Sequence, residues 1–387
     1  MKFIHSADWQ IGARFKQFGE NAARLGDARL HTLRRSLAEA AQRRVDAFLI
    51  AGDLFEDNQI SPSLVQKVFE ALAEADAFPI IILPGNHDPL SGPASVWARK
   101  PFSTPPKHLR IATAPEAMAI ADGWILVNPL TQKRSTIDPS KLLAELAQSL
   151  PSDAIKIGVT HGSPAIEGYY QADDFPIALD AAARAGLDYL ALGHWHRFLA
   201  LDNGRMIMPG TPEPADFSET GAGCIHEVEI TASGKPPKVT AIPVGQWNWR
   251  HRSFDLSDEN RARSEAISLL DEISLPEISA VLRISLAGSA SVGKVTEFRS
   301  WFGGQADARH ILDFRDETSS CLTAEELNVL LSSHPIIAQV LDDLAALPVL
   351  AGDGHHSSNT LPSEAFTPEI LAAARSMLMR ELREISC

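Results

Sequence analysis

The chain has 387 residues, of which 45% are hydrophobic and 22% are charged, and its formal net charge is −14. This composition is typical of an ordinary globular protein with room for two domains and a tail. The acidic balance argues against a general DNA-coating protein, because affinity for the nucleic-acid backbone comes from Lys and Arg. Any contact with nucleic acid must be local or shared with a basic partner.

The cysteines and the apolar runs indicate the cellular compartment and whether the chain enters a membrane. Cys224, Cys321 and Cys387 are odd in number and show no paired spacing, so neither a disulfide framework nor a thiolate zinc site is supported. The first residues resemble a strand rather than a signal sequence, and no run approaches the ~18 apolar residues of a membrane span. We therefore predict a cytoplasmic protein with no membrane association.

The first part of the chain alternates strands with helices. Strands are predicted over residues 3–6, 47–51 and 80–83, each rich in branched or aromatic residues. Helices are predicted over 21–44 and 61–75, the second with Pro at its first position. This βαβαβ pattern predicts a parallel sheet.

Side chains that can bind metal follow five predicted strands, the last two of which cover residues 156–160 and 189–192. In chain order these side chains are Asp8 and Gln10, then Asp53, then Asn86 with His87 and Asp88, then His161, and finally His194 with His196. Ligands bind at the carboxyl ends of strands in such sheets, so we expect one shared site.

The chemistry of this set predicts two metal ions. Oxygen, amide and imidazole ligands without thiolate suit manganese, magnesium or iron, and the set is large enough for a pair of ions. The Gly-Asn-His-Asp string by itself is weak evidence and fits a merely polar turn after a strand better than a metal site. The same arrangement, an apolar strand followed by a metal-type ligand, occurs at five strand ends, and this recurrence favours a binuclear site.

The rest of the chain predicts a second sheet, a small module and a tail. Residues 199–244 alternate short strands with turns, which predicts an antiparallel sheet closing a sandwich over the first. From residue 255, a helix, a strand, a helix and a strand predict a compact module. The final helix, 367–387, carries an apolar stripe formed by Leu371, Ala374, Leu378, Leu382 and Ile385.

The five motifs resemble those of calcineurin-like metallophosphoesterases. The matching segments are Asp8-Trp9-Gln10, Gly52-Asp53, Gly85-Asn86-His87-Asp88, His161-Gly162 and Gly193-His194-Trp195-His196. The opening segment up to Trp9, and the segment from Pro209 to Pro214 with Phe217, resemble the SbcD and YhaO type of DNA repair exonuclease. These are bacterial relatives of the nuclease component of double-strand-break repair complexes, and the resemblance covers about residues 1 to 245.

The resemblance implies an α/β fold, namely a metallophosphoesterase β-sandwich flanked by helices, with a smaller α+β capping domain and a C-terminal helical tail. The predicted ranges are 1–246 for the nuclease domain, 255–320 for a capping domain that grips DNA, 321–346 for short helices, 347–366 for a linker and 367–387 for a partner-binding helix.

The resemblance also implies roles within the site. Asp53 would bridge two divalent ions, manganese in first place, with magnesium or iron as alternatives. One ion would take Asp8, Gln10 and His196, and the other would take Asn86, His161 and His194. His87 would be the general acid that protonates the leaving oxygen, with Asp88 orienting it and with Glu56 and His5 in supporting positions.

Two positions depart from the family pattern. Gln10 stands where the family usually has His, and Glu56 stands where these nucleases often have His. Gln can offer only its carbonyl oxygen to a cation, so metal affinity and metal choice at that position are in question. Glu56 cannot present an imidazolium to a phosphate.

The function that the resemblance implies is a metal-dependent DNA nuclease acting as exonuclease or endonuclease in DNA repair. Its C-terminal helix would dock on the coiled-coil base of an SbcC-like ATPase, and a homodimer is left open. Two alternatives stay open as well: a phosphodiesterase or phosphatase acting on a small nucleotide, and a weakly active scaffold protein.

Overall fold

The computed structural model of the chain describes residues 1–219, 223–274, 279–320, 339–340 and 343. Within those ranges, every helix is too short or too polar to span a lipid bilayer. The chain divides into two compact units, of which the first is built mainly from Met1–Arg250 and the second starts at His251. The predictions for a linker at 347–366 and a helix at 367–387 lie outside the described residues, as do most of residues 321–346.

The strands of the first unit form two six-stranded sheets. In chain order they are β1 (Lys2–Ser6), β2 (Ala47–Ala51), β3 (Ile80–Leu83), β4 (Leu109–Ile111), β5 (Glu116–Ile120), β6 (Gly123–Val127), β7 (Ile155–His161), β8 (Tyr189–Gly193), β9 (Phe198–Leu201), β10 (Met206–Pro209), β11 (Cys224–Glu229) and β12 (Lys238–Pro243).

Each sheet has a parallel centre. The first sheet has the order β12-β11-β1-β2-β3-β4, in which β1 to β4 run parallel and β11 is antiparallel to both of its neighbours. The second has the order β5-β6-β7-β8-β10-β9. Its four inner strands are parallel, and the edge strands β5 and β9 are antiparallel to their neighbours.

Alternation along the strands of the first sheet divides their apolar side chains between two cores. On β2, Phe48 and Ile50 pack on the helix side, while Leu49 packs with Ile157 and Val159 of the second sheet. Successive side chains of a strand point to opposite faces, so a continuous apolar run supplies both layers. Each such buried side chain contributes about 1.5–3 kcal/mol.

Helices cover the outer faces of both sheets. Helices α1 (Ala22–Arg43) and α2 (Pro62–Glu74) pack on the first sheet, and α3 (Ser140–Gln148) and α4 (Ala181–Arg184) pack on the second. Helix α2 begins as predicted, because Ser61 Oγ accepts a hydrogen bond from the Leu64 amide at 3.3 Å and Pro62 fills the first position. The predicted fold class, a β-sandwich flanked by helices, is confirmed for the described residues.

One prediction about the sandwich was wrong. Residues 199–244 were expected to form the second sheet by themselves, but β9 and β10 join the sheet of β7 and β8, whereas β11 and β12 extend the first sheet. The second sheet also contains β7 and β8, which carry two of the five predicted strand ends. Local alternation specifies a strand but not the sheet in which it pairs.

The second unit contains the predicted alternation of helices and strands. The elements from residue 247 onward are β13 (Trp247–Asp255), α5 (Glu259–Glu272), β14 (Ser279–Ala287), β15 (Ser289–Ala290), α6 (Val292–Gln305), β16 (Ile311–Asp316) and β17 (Ser319–Ser320). Residues 247–250 of β13 and 279–281 of β14 are assigned to the first unit. Strands β13, β14 and β16 pair in that order, and β15 pairs with β17. Phe254, Phe298 and Phe302 form the aromatic centre of the second unit, with ring centroids 5.7 to 6.3 Å apart. Residues 247–254, which were assigned to neither domain, lie within a strand.

Candidate metal centre

The five strand ends of the prediction meet at one edge of the sandwich. Asp8 and Gln10 follow β1, Asp53 follows β2, Asn86 follows β3, His161 is the last residue of β7, and His194 and His196 follow β8. Strands β1 to β3 come from the first sheet, while β7 and β8 come from the second. The two sheets thus bring their carboxyl ends together, which is the usual ligand-binding edge of α/β proteins.

Three of these residues form a compact, buried cluster. One side-chain ligand atom from each of Asp8, Asp53 and His161 lies within 4.8 Å of the other two. His161 Nε2 is 3.3 Å from Asp53 Oδ2, and both oxygens of Asp8 accept from the His194 amide at 3.0 Å. Ionised carboxylates in such a buried position require compensating positive charge.

The Asn86 amide oxygen joins two imidazole rings to this cluster. Asn86 Oδ1 lies 2.7 Å from His161 Nε2 and 3.0 Å from His194 Nδ1. The two rings are perpendicular, with centroids 5.3 Å apart. One amide oxygen and two ring nitrogens therefore point into the same small space.

Hydrogen bonds on the outer side of each histidine determine which ring nitrogen faces inward. His161 Nδ1 donates to the Ala51 carbonyl at 2.8 Å, and His194 Nε2 donates to Asp174 Oδ2 at 2.8 Å. His196 Nδ1 donates to Glu219 Oε1. Since carbonyl and carboxylate oxygens accept these bonds, the opposite nitrogen of each ring is left for the centre.

The resulting set of atoms fits a metal ion. The inward nitrogens of His161 and His194 lie at hydrogen-bond distance from the Asn86 oxygen. If all three atoms are acceptors they repel one another, so the arrangement is stable only with a proton or a cation between them. Burial alone would lower the pKa of His161, but Asp53 reverses this and raises the pKa to about 9. A divalent ion would supply the same positive charge in place of that proton, and carboxylate, amide and imidazole donors suit such an ion.

The electrostatics of Asp53 agree with this requirement. Burial by itself would raise the pKa of Asp53, but the adjacent His161 ring outweighs it and holds the pKa well below its ordinary value. The His87 amide also donates to Asp53 Oδ1, at 2.8 Å. Asp53 is therefore ionised at neutral pH and central to the cluster.

Glycines allow these groups to approach closely. A Cβ atom on Gly52 would lie 2.0 Å from His161 Nδ1, and one on Gly85 would lie 2.1 Å from Asp53 Oδ1. Asp8, Gln10 and Asp53 themselves have left-handed backbone angles, with φ between 42° and 54°. Non-glycine residues seldom adopt this conformation, and such strain concentrates at functional sites.

Asp174 and Glu219 were missed by the sequence analysis. They orient His194 and His196 from loops, and carboxylates that orient metal-binding histidines commonly raise metal affinity. Burial favours a lower pKa for His196, but the hydrogen bond to Glu219 helps raise that pKa to about 9. No motif marks either carboxylate, because each reaches its histidine through loop folding from more than ten residues away.

The structure places Gln10 beside His196. Gln10 is 7% exposed, and its side-chain amide lies 3.1 Å from His196 Nε2. The side chain therefore lies beside a predicted metal ligand, and only its amide oxygen could bind a cation.

We expect Gln10→His to raise metal affinity at the position that Gln10 helps to form, because a neutral imidazole is the stronger ligand for manganese and later transition ions. Calorimetric titration of manganese into the wild type and the variant provides the measurement. Unchanged affinity would mean that Gln10 does not bind the ion.

The structure also places the predicted supporting residues. His87 Nδ1 lies 3.0 Å from the Glu56 carbonyl, so this backbone group, and not Asp88, orients the His87 ring. The Asp88 carboxylate instead accepts from the Phe55 and Gly85 amides, at 3.0 and 2.7 Å. Burial and the nearby Asp53 charge raise the pKa of Asp88 to about 7. Asp88 thus joins the loops after β2 and β3.

His5 lies within the sandwich and not among the clustered ligands. Its ring bonds the Tyr189 hydroxyl at 2.8 Å and the Leu192 carbonyl at 3.0 Å. Burial lowers its pKa to about 3, so the ring is neutral at pH 7. These contacts join β1 to β8, the two strands that lead to Asp8 and His194.

Comparison with known families identifies the same region. Residues 1–198, slightly more than half of the chain, match the family described as calcineurin-like phosphoesterase. This segment contains every predicted metal ligand, of which His196 is the last in the chain.

Two curated proteins of Bacillus subtilis (strain 168) are similar over longer stretches. The D subunit of nuclease SbcCD is 24% identical over 363 residues, which cover 80% of this chain and 90% of that protein. The uncharacterized metallophosphoesterase YhaO is 26% identical over 246 residues, which cover 60% of this chain and 58% of that protein.

Solved structures match at lower similarity. TT1561 of Thermus thermophilus aligns with 63% of this chain and 98% of its own, at 13% identity and a TM-score of 0.43. The purple acid phosphatase PPD1 from yellow lupin seeds aligns with 63% of this chain and 51% of its own, at 11% identity and a TM-score of 0.42.

Proposed function

The chain belongs to the calcineurin-like metallophosphoesterase family, and on that premise we propose that it is a metal-dependent nuclease that hydrolyses phosphodiester bonds of DNA. The observation that carries this proposal is the convergence of inward-facing carboxylate, amide and imidazole groups on Asp53. The similarity to the D subunit of nuclease SbcCD favours DNA over a small nucleotide, because it extends well beyond residue 198.

We assign the residues that would hold two divalent ions as the sequence suggested. Asp53 would be shared, Asp8, Gln10 and His196 would hold one ion, and Asn86, His161 and His194 would hold the other. Manganese is the proposed metal, since these hard and borderline donors include no thiolate. Such a pair, when bound, supplies an activated water as nucleophile and positive charge for the phosphoryl oxygens.

The side chains around the centre hold these ligands in position. Asp174 and Glu219 bond the rings of His194 and His196, so that each ring turns only one nitrogen inward. The Asp8 carboxylate is held by the His194 amide. This preorganisation lowers the cost of assembling the site when substrate binds.

His87 is the proposed general acid. Its Nδ1–H donates to the Glu56 carbonyl and its backbone amide donates to Asp53, so both ring and backbone are held beside the centre. A proton on Nε2 would then be given to the leaving oxygen of the cleaved phosphodiester.

An assay with three substrates tests the proposal. Purified protein with manganese should degrade linear DNA, whereas cyclic nucleotides should be poor substrates. A chromogenic phosphodiester measures the phosphoesterase activity that the family implies. Hydrolysis of the chromogenic ester without any cleavage of DNA would reject the nuclease proposal, and no hydrolysis of any substrate would favour a scaffold role.

We further propose that the chain acts in the cytoplasm with an SbcC-like ATPase, through the apolar stripe Leu371, Ala374, Leu378, Leu382 and Ile385. The name of the B. subtilis relative, which describes one subunit of the nuclease SbcCD, supports such an assembly. A basic partner would also supply DNA-binding surface that a chain of net charge −14 does not offer broadly.

Deleting residues 360–387 should abolish co-purification with that ATPase while the thermal midpoint and the manganese-dependent nuclease activity stay nearly unchanged. The physical reason is that an amphipathic helix docked on a partner contributes little to the core of its own chain. Aggregation or unfolding of the truncated protein would instead place the helix in this chain's own core.

A further inference from the structure

A cavity of about 600 Å³ lies beside the candidate metal centre. Residues of β9 to β12 and of the loop before Glu219 line it, and His196 and Glu219 belong to its wall. The cavity is thus directly continuous with one of the proposed metal ligands. Its volume is within the ~300–1,000 Å³ range of small-molecule sites.

One wall of the cavity is an aromatic stack with an open side. Phe198 stacks on His226, with ring centroids 4.9 Å apart and an angle of 23° between the planes. Phe198 is 54% exposed, so part of its ring surface is open to a ligand. A flat heteroaromatic ring could extend this stack, as nucleobases do on exposed aromatic side chains.

The polar groups of the cavity suit a neutral ligand group. Among the described residues that line it, only Arg197 and Glu219 are Arg, Lys, Asp or Glu. Glu219 is already bonded to His196 and to the Ala215 amide. Burial lowers the pKa of His226 to about 4, so this ring is neutral at pH 7.

The imidazole of His226 is enclosed by protein. The residue is only 4% exposed, and its Nδ1 has no hydrogen-bond partner within the described part of the chain. This atom is enclosed by protein and is not open to a ligand in the cavity, so His226 contributes to the cavity as the inner ring of the Phe198 stack.

We propose that this cavity, the base pocket, binds the nucleobase attached to the phosphate at the metal centre. Phe198 follows His196 by two residues, a stretch that spans at most ~7 Å, so a base linked to a bound phosphate can reach it. The proposal rests on the proposed function, because it requires a nucleotide substrate. It adds that a base is held by stacking beside the centre.

Cys224 provides a direct reporter of occupancy. Its side chain is a thiol in the wall of the cavity, and partial burial raises the pKa of that thiol. Its alkylation by iodoacetamide can be followed by peptide mass spectrometry in the presence of manganese. Thymidine 5′-monophosphate at about ten times its dissociation constant should slow labelling roughly tenfold. Inorganic phosphate and deoxyribose 5-phosphate should not slow it.

A kinetic test uses two esters that differ only in the nucleoside. Phe198→Ala should lower the kcat/KM ratio of thymidine 5′-(p-nitrophenyl phosphate) to methyl p-nitrophenyl phosphate by about tenfold, because stacking on the ring is lost. Ile137→Ala is the matched control, since it removes an apolar side chain that is 69% exposed. The control should keep the wild-type ratio.

The outcomes separate this inference from the nuclease proposal. If the wild type cleaves DNA but thymidine 5′-monophosphate does not protect Cys224, the base pocket is rejected and the nuclease stands. If phosphate alone protects Cys224, the thiol reports the metal centre and the pocket is again rejected. If the nucleotide protects Cys224 but DNA is not cleaved, the pocket stands and the substrate is a free nucleotide.

Discussion

Asp53→Asn should reduce phosphodiesterase activity at least ~1,000-fold and remove most of the bound metal, because it withdraws negative charge from the ligand proposed to serve both ions. The Asp53 carboxylate lies 3.3 Å from His161 and accepts from the His87 amide, so an amide of the same size also disturbs both contacts. Elemental analysis of the purified variant and hydrolysis of a chromogenic phosphodiester measure the two effects.

Asp180→Asn is the matched control for Asp53→Asn. Asp180 is half exposed and pairs with Arg184 within one helical turn, an interaction that is worth little to stability. This control should keep both metal content and activity. If Asp53→Asn binds metal as the wild type does, Asp53 is not the shared ligand.

His87→Ala should lower kcat about 100- to 10,000-fold while both ions stay bound, because a general acid contributes to the reaction and not to metal binding. His87 contacts the centre through its backbone amide, and that bond to Asp53 is kept in the alanine variant. The hydrogen bond of its ring goes to the Glu56 carbonyl and not to a proposed metal ligand. Metal content and single-turnover hydrolysis are the paired measurements.

The contrast between the two variants tests the assignment of roles. His108→Ala is the control for His87→Ala, since His108 bonds the Leu72 carbonyl and is only partly buried. A second check uses a substrate with an activated leaving group such as p-nitrophenolate, which needs little protonation. On this substrate His87→Ala should reduce the rate of hydrolysis much less than it does on DNA. Loss of metal from His87→Ala, comparable to that from Asp53→Asn, would contradict the role of His87 as a general acid.

The clustering of the candidate residues could be predicted because each of them directly follows a predicted strand. A metal ligand directly after a buried strand is held in place by that strand, as Asp53 is by β2 and Asn86 by β3. The carboxyl ends of parallel strands share an edge, so the position of each ligand followed from short apolar runs. The start of helix α2 at Ser61 and Pro62 was local in the same way.

Contacts between distant loops were not predictable in this way. Asp174 and Glu219 reach His194 and His196 from separate loops, and the Glu56 carbonyl, instead of Asp88, orients His87. Hydrogen bonds of this kind depend on the path of a loop, which no periodicity in the sequence records.

By itself, therefore, the sequence determined the strands, the main helices and the candidate residues that follow those strands, since apolar runs and turn residues specify local structure. The tertiary structure decided which strands share a sheet, and it placed β7 and β8 opposite β1 to β3. It also decided which nitrogen of each histidine faces inward and where Phe198 and His226 enclose a cavity. These features depend on pairing and packing between residues far apart in the chain, whose partners only the folded protein brings together.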